Sequence, residues 1–123
     1  MTQPPLITVV DDDHSIRESL GGLFRSVGFA AQGFASAAAF LQSHELAETD
    51  CLILDARMPG MDGLELQRRL LASHPDLPVI FMTAHDDART RSQALSGGAV
   101  DYLIKPFSEA ALLDAVRAAL GET

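Results

Sequence analysis

Six polar residues with the chemistry of metal or phosphate sites follow directly after short apolar runs of the sequence. They are Asp11, Asp12, Asp13, Asp55, Thr83 and Lys105. The runs before them are rich in branched residues, which is typical of buried strands in a parallel sheet. Because open α/β sheets bind their ligands at the carboxyl ends of the strands, we expect these side chains to share one crevice.

The aspartates of this set predict a site for a divalent cation. Neighbouring strands lie about 4.8 Å apart, so carboxylates that follow the first and third runs can bind one cation together. Oxygen ligands without a supporting His or Cys favour Mg²⁺ or Mn²⁺ over zinc. Two like charges about 4 Å apart would otherwise repel each other by about 4 kcal/mol at an effective dielectric constant of roughly 20. A cation would relieve this repulsion among Asp11, Asp12 and Asp55, whereas Asp13 is better placed to cap the following helix.

The threonine and the lysine predict phosphoryl chemistry at the same place. An anionic phosphoryl donor can approach a cluster of carboxylates only where positive charge is supplied, and a metal ion together with Lys105 would supply it. The oxygens of a phosphorylated carboxylate then need hydrogen-bond donors, which the Thr83 hydroxyl and the Lys105 ammonium can provide. We therefore predict one joint role for the residues of the crevice.

The apolar runs alternate with stretches of helical period, which predicts one α/β domain with a doubly wound, five-stranded parallel sheet and five flanking helices. The runs are residues 6–10, 30–34, 51–54, 79–82 and 102–104. In the flavodoxin-like strand order 2-1-3-4-5, the four strands with polar ends are neighbours and the second strand lies at the edge. This order brings the six polar residues together.

Capping signals predict where several of the helices begin. Ser36 and Ser108 are suited to cap the second and fifth helices, and Asp62 with Glu65 forms a capping box for the third. The fourth helix, from about residue 86 to 95, offers few apolar side chains to a core. We expect it to be the loosest of the five.

Composition and charge restrict the possible functions. A chain of 123 residues with 47% hydrophobic and 21% charged residues can bury one core, so a disordered segment is excluded. The formal net charge of −8 disfavours binding of nucleic acid or anionic membranes by this segment. With no apolar run of about 18 residues and no signal-peptide pattern at the start, we expect a cytoplasmic domain over residues 1–123. The single cysteine, Cys51, excludes an internal disulfide and is expected to be a small buried residue.

Four sequence motifs resemble the receiver domains of bacterial response regulators. They are VVDDD, LDARMPGMDG, MTAH and YLIKPF, in the order and at the spacing that this family shows. The resemblance extends from about Leu6 to Leu120, and the segments MTAHDD and AVDYLIKPF are most similar to receivers of the FixJ type. In that group a LuxR-like helix-turn-helix commonly follows the receiver, so this chain is interpreted either as a free-standing receiver or as part of a larger regulator.

The resemblance implies a phosphorylation switch rather than an enzyme that acts on other substrates. Asp55 would accept a phosphoryl group from a phosphohistidine of a sensor histidine kinase and would lose it by slow self-hydrolysis. Asp12, Asp55 and the backbone carbonyl of Arg57 would bind Mg²⁺ directly, and Asp11 would act mainly through water.

The resemblance also implies how the phosphoryl group would be sensed. Thr83 and Lys105 would contact it, Tyr102 would change rotamer as a switch, and the peptide bond between Lys105 and Pro106 would be cis. The face formed by the fourth helix, the fifth strand and the fifth helix would then change, and it would control an output domain, a partner or a homodimer.

Two residues depart from the most frequent family pattern, in which smaller or acidic residues stand at these positions. They are Arg57, two residues after the acceptor, and His85, two residues after Thr83. Because a guanidinium pairs well with a carboxylate, we expect the Arg57 side chain to reach Asp11 or Asp12 when no cation is bound.

Two other protein classes share part of this pattern. Residues 11–15 superficially fit the DxDx[TS] motif of haloacid-dehalogenase-like phosphohydrolases, but a cap for the substrate and a late acidic pair are not found in the sequence. A flavodoxin-like electron carrier would need a phosphate-cradling loop after the first strand, where three aspartates would repel the phosphate of FMN. Repeated release of phosphate from a phosphomonoester would distinguish the first class from a receiver.

Overall fold

The computed structural model describes residues 3–122, which form five strands and six helices. Their bounds are β1 Leu6–Val10, α1 His14–Ser26, β2 Ala30–Phe34, α2 Ala37–Leu41, α3 Glu45–Glu48, β3 Cys51–Asp55, α4 Gly63–Ser73, β4 Val79–Thr83, α5 Ala88–Ser96, β5 Asp101–Ile104 and α6 Glu109–Ala119. All neighbouring strands are parallel, in the order β2-β1-β3-β4-β5. The predicted fold class and strand order are confirmed.

The interior strands β3 and β4 are buried at every residue because helices cover both faces of the sheet. Alternate side chains of β3 enter two different cores, with Leu52 and Leu54 on one side and Cys51 and Ile53 on the other. This two-sided burial explains why the strand is apolar throughout rather than alternating. The thiol of Cys51 is free and buried, as expected.

Polar side chains cap five of the helices and set where they begin. Asp13 accepts a hydrogen bond from the Ser15 N–H at 2.8 Å, and Asp62 accepts one from the Glu65 N–H at 2.9 Å. Ser36, Asp87 and Ser108 cap α2, α5 and α6 in the same way. Because Asp87 is the cap, α5 begins at Ala88 rather than near residue 86.

Only half of the predicted capping box forms at α4. The Glu65 carboxylate does not return to the Asp62 backbone but accepts hydrogen bonds from the guanidinium groups of Arg68 and Arg69. These two arginines lie one turn further along the helix, and charged donors bind a carboxylate more strongly than a backbone N–H does.

The segment between β2 and β3 forms two short helices, so the predicted total of five helices is wrong for residues 3–122. The Ser43 hydroxyl donates to the Phe40 carbonyl at 2.7 Å, which replaces a helical hydrogen bond at the end of α2. After α3, the Thr49 hydroxyl donates to the Glu45 carbonyl at 2.6 Å and meets the Thr8 hydroxyl of β1 at 2.8 Å. The Ser43 bond separates α2 from α3, and the Thr49 bonds hold the end of α3 against β1.

No helix within residues 3–122 is both long enough and apolar enough to cross a lipid bilayer. The predicted looseness of α5 stays a prediction, although this helix buries only Ala94 completely.

Candidate functional site

Three aspartates meet at the carboxyl ends of β1 and β3. Asp11 and Asp12 follow β1 and Asp55 ends β3, and one carboxylate oxygen of each lies within 4.8 Å of the others. Asp11 and Asp55 are buried, whereas Asp12 is exposed. An oxygen cluster of this size, open on one side, matches what a divalent cation with several water ligands requires.

Lys105 supplies the positive charge of the site. It follows β5, and its side chain crosses the end of β4 to place Nζ 3.0 Å from Oδ2 of Asp11 and 3.9 Å from Oδ2 of Asp55. The peptide bond between Lys105 and Pro106 is cis. The ammonium group therefore lies between two of the three carboxylates.

Thr83, at the end of β4, is buried and its hydroxyl is engaged by its own loop. Its Oγ1 accepts from the His85 N–H and donates to the His85 carbonyl, both at 3.2 Å. Within the part of the chain that the structure describes, this hydroxyl makes no hydrogen bond to Asp55 or Lys105. The hydroxyl must give up its hydrogen bond to the His85 carbonyl before it can donate to a group carried by Asp55.

Burial raises the pKa of the Asp55 carboxyl to about 6, and the nearby charge of Asp11 adds to this effect. The Arg57 N–H, 3.2 Å from Oδ1 of Asp55, and the Lys105 ammonium act in the opposite direction. Burial disfavours the charged form of a carboxyl group. Additional positive charge near Asp55 would therefore stabilise its ionised form.

The Arg57 side chain does not reach Asp11 or Asp12, so the expectation for it is wrong in this structure. Its guanidinium lies 3.2 Å from Oδ2 of Asp87, the cap of α5. Hydrogen bonds from the Thr90 hydroxyl and the Arg89 N–H hold the pKa of Asp87 below its usual value and fix its carboxylate toward the loop. Oδ2 of Asp11, in contrast, already accepts from Lys105. The metal-binding role of the Arg57 carbonyl stays a prediction.

Tyr102 of β5 turns its ring into the protein. The exposed fraction of Tyr102 is 8%. The centroid of its ring lies 6.4 Å from the centroid of the Phe81 ring and 5.5 Å from the guanidinium carbon of Arg91. The hydroxyl is buried and has no hydrogen-bond partner among the described residues. Burial also raises the pKa of this phenol. A buried hydroxyl without a partner is costly. The role of Tyr102 as a switch stays a prediction.

Arg17 of α1 contacts the site although its position in the sequence did not indicate this. Its Nη1 donates a hydrogen bond to the Asp11 carbonyl at 2.7 Å. Every residue has a backbone carbonyl, so residue types do not indicate which carbonyl will accept a hydrogen bond from a side chain. The only signal is a basic residue in the first turn of a helix that begins directly after the acidic cluster.

The structure thus combines a doubly wound parallel sheet with an acidic cluster and a lysine at the carboxyl ends of its strands. A sequence model of the family described as "Response regulator receiver domain" matches residues 7–117. This chain belongs to the response regulator receiver domain family, the signalling domain of two-component systems.

Curated relatives are similar over nearly the whole chain. Nodulation protein W of Bradyrhizobium diazoefficiens is 48% identical over 93% of this chain and 50% of its own length. The transcriptional regulatory protein FixJ of Azorhizobium caulinodans is 44% identical over 95% of this chain and 56% of its own length. The chain therefore spans about half the length of these relatives.

Solved structures agree with the fold. The response regulator StyR superposes with a TM-score of 0.88 at 46% identity, over 96% of this chain and 60% of that one. The FixJ-N structure superposes with a TM-score of 0.86 at 33% identity, over 99% of this chain and 98% of that one. The resemblance to FixJ-type receivers is confirmed.

Proposed function

We propose that this domain is a cytoplasmic phosphorylation switch in which Asp55 accepts a phosphoryl group from a histidine of a sensor kinase, with the help of Mg²⁺ or Mn²⁺. One observation carries the proposal. The buried Asp55 carboxylate lies with Asp11 and Asp12 within 4.8 Å and beside the Lys105 ammonium at 3.9 Å. Membership of the receiver family supports the same chemistry.

The transfer step exchanges one bond to phosphorus for another. A carboxylate oxygen of Asp55 attacks the phosphorus atom of the phosphohistidine and forms a P–O bond. The P–N bond breaks, and the imidazole nitrogen keeps the bonding electron pair. Lys105 reduces the repulsion between the incoming phosphoryl oxygens and the carboxylates of the site.

The donor set at this place fits a hard divalent cation. Asp11, Asp12 and Asp55 would hold Mg²⁺ or Mn²⁺ with oxygen atoms, and the Arg57 carbonyl would add a further oxygen ligand. The bound ion would neutralise charge between the carboxylates and the phosphoryl oxygens. Asp11 already directs Oδ2 to Lys105, which suits a ligand that acts through water.

The test is whether the chain accepts one phosphoryl group and keeps it. Incubated with acetyl phosphate and Mg²⁺, the protein should gain one phosphoryl group per chain by intact mass, and it should gain none with EDTA. When the protein is incubated with a phosphomonoester, it should show no catalytic turnover that releases phosphate. Labelling that is independent of a divalent cation, or continued turnover of the phosphomonoester, would contradict the proposal.

The proposal includes a conformational output. A phosphoryl group on Asp55 would draw the Thr83 hydroxyl away from His85. The Tyr102 ring would then move into the space that Thr83 had occupied. The face of α5, β5 and α6 would change with it and would control an output domain, a partner or a homodimer. The size of the shift is limited by the difference in affinity of the two states for the phosphoryl group.

Hydrogen exchange would locate this change. Beryllofluoride, which mimics a phosphoryl group on a carboxylate, should alter amide exchange most between residues 83 and 107, because Thr83 and Tyr102 lie in that segment and α5 buries only Ala94 completely. The Asp55→Asn variant should show no change under the same conditions. Equal changes in all the helices would contradict a switch confined to this face.

A further inference from the structure

The backbone of the acidic cluster is hydrogen-bonded to the side chain of Arg17. The guanidinium of this half-buried residue donates to the Asp11 carbonyl at 2.7 Å, and its second nitrogen lies 3.4 Å from Nδ1 of His14. The carbonyl that accepts this bond belongs to the peptide group between Asp11 and Asp12. Its orientation therefore helps to determine the direction in which the Asp12 side chain leaves the backbone.

Every polar group of Asp11 is held, and the Asp12 carboxylate is not. The Asp11 N–H donates to the Phe34 carbonyl at 3.1 Å, Oδ1 accepts from the Asp13 N–H at 2.8 Å, and Oδ2 accepts from Lys105. Within residues 3–122, no hydrogen bond to the exposed Asp12 carboxylate is found. Its place in the cluster depends on the backbone that carries it, and thus on the peptide bound by Arg17.

A glycine on the edge strand makes room for the arginine. Gly33 of β2 lies beside the aliphatic part of Arg17, and a Cβ atom there would be 3.3 Å from Cδ and 3.4 Å from Cβ of Arg17. Such contacts are tighter than ordinary packing, so a Cβ atom at this position requires the Arg17 side chain to shift by a few tenths of an ångström, and a branched residue requires more. The absence of a side chain at Gly33 therefore leaves the space in which the Arg17 side chain packs.

We infer that Arg17 is a positioning residue for the metal site, which fixes the peptide between Asp11 and Asp12 so that the Asp12 carboxylate points at the cation. The inference rests on the proposed function, because it needs a cation at this cluster. Residues that orient metal ligands commonly change metal affinity about tenfold or more when they are removed.

Electrostatics alone would give an effect of the opposite sign. Arg17 is a cation close to a site that binds cations, so loss of its charge should strengthen metal binding if charge were its only influence. Loss of its hydrogen bond should weaken metal binding if it positions Asp12. The sign of the change therefore separates the two roles.

The measurement is Mn²⁺ affinity of the complete chain, from the electron paramagnetic resonance signal of free Mn²⁺. Arg17→Met keeps the apolar stem beside Gly33 but removes the donor, and it should bind Mn²⁺ about tenfold more weakly. Arg17→Lys keeps a charged donor and should recover most of the affinity. Arg25→Met removes an equal charge from the last turn of α1 and should bind as tightly as the wild type or slightly more tightly.

Gly33→Val tests the same contact without changing any charge, and it should also weaken Mn²⁺ binding. At saturating Mn²⁺, the rate of labelling by acetyl phosphate should return toward the wild-type rate in Arg17→Met, because the acceptor itself is intact. Melting curves in EDTA show which variants are folded. If Arg17→Met does not fold, the Mn²⁺ affinity of Gly33→Val tests the positioning role instead.

Two outcomes separate the inference from the proposed function. Equal or tighter Mn²⁺ binding by folded Arg17→Met, or by Gly33→Val, would overturn the positioning role alone. Failure of the wild type to bind Mn²⁺, or equal binding by Asp12→Ala, would overturn the proposed metal site and the positioning role with it.

Discussion

Replacing Asp55 by asparagine is expected to abolish labelling of the protein by acetyl phosphate. The amide has the shape of the carboxyl group, but its neutral oxygen is a poor nucleophile, and no other acid of the site stands at the end of β3. The substitution also removes one of three like charges that lie within 4.8 Å. The variant should therefore be at least as stable as the wild type, and lost labelling would not reflect unfolding.

Asp13→Asn is the matched control for this substitution. Asp13 stands next to the cluster, is exposed, and caps α1 through its hydrogen bond from the Ser15 N–H. Asparagine caps helices about as well as aspartate, so the fold should be retained. Intact mass after incubation with acetyl phosphate and Mg²⁺ should show one phosphoryl group on this control and none on Asp55→Asn. Equal labelling of the two variants would exclude Asp55 as the acceptor.

The strand ends that build the site could be predicted from the sequence because their signals are local. An apolar run followed by an acid, a threonine or a lysine marks both the strand and the side chain at its carboxyl end, and parallel pairing then brings the ends together. Asp11, Asp55 and Lys105 lie in one place for this reason. The strand order could be predicted because the flavodoxin-like order makes the four strands with polar ends neighbours.

The directions of the arginine side chains could not be predicted in this way. Arg57 was expected to bind the nearest acids, but Asp87, thirty residues further along the chain, offers a carboxylate that is fixed by its capping bonds. Ion pairs of an exposed arginine contribute little free energy, so small differences in the position of each carboxylate decide between them, and residue types do not encode such differences. Arg17 binds a main-chain carbonyl, and every residue has one.

The division of the segment before β3 into α2 and α3 was missed for a related reason. Ser43 ends α2 with one hydroxyl bond to a backbone carbonyl. Serine is tolerated inside helices and also favoured at their ends, so its identity does not decide between the two. Long helices with a clear apolar stripe, such as α1 and α6, lack this ambiguity.

Gly63→Ala should destabilise the fold by about 1–3 kcal/mol, since the buried start of α4 has no space for a methyl group. A Cβ atom at Gly63 would lie 2.5 Å from the Asp55 carbonyl oxygen, 3.0 Å from Cα of Ala56 and 3.0 Å from Cε1 of Phe81. Two of these atoms belong to the backbone that carries the acceptor, and it cannot move without disturbing the site. Folded Gly63→Ala should therefore also be labelled more slowly than the wild type.

The control for this effect is Gly22→Ala, in the middle of α1. Gly22 is exposed, and a Cβ atom there would meet no other atom within 4 Å. The same substitution should stabilise the protein by about 0.5–1 kcal/mol, because alanine loses less backbone freedom than glycine in a helix. Urea unfolding of the two variants measures both changes against the wild type. If Gly63→Ala proved as stable as Gly22→Ala, the close approach of α4 to the end of β3 would be wrong, and with it the reason for glycine at this position.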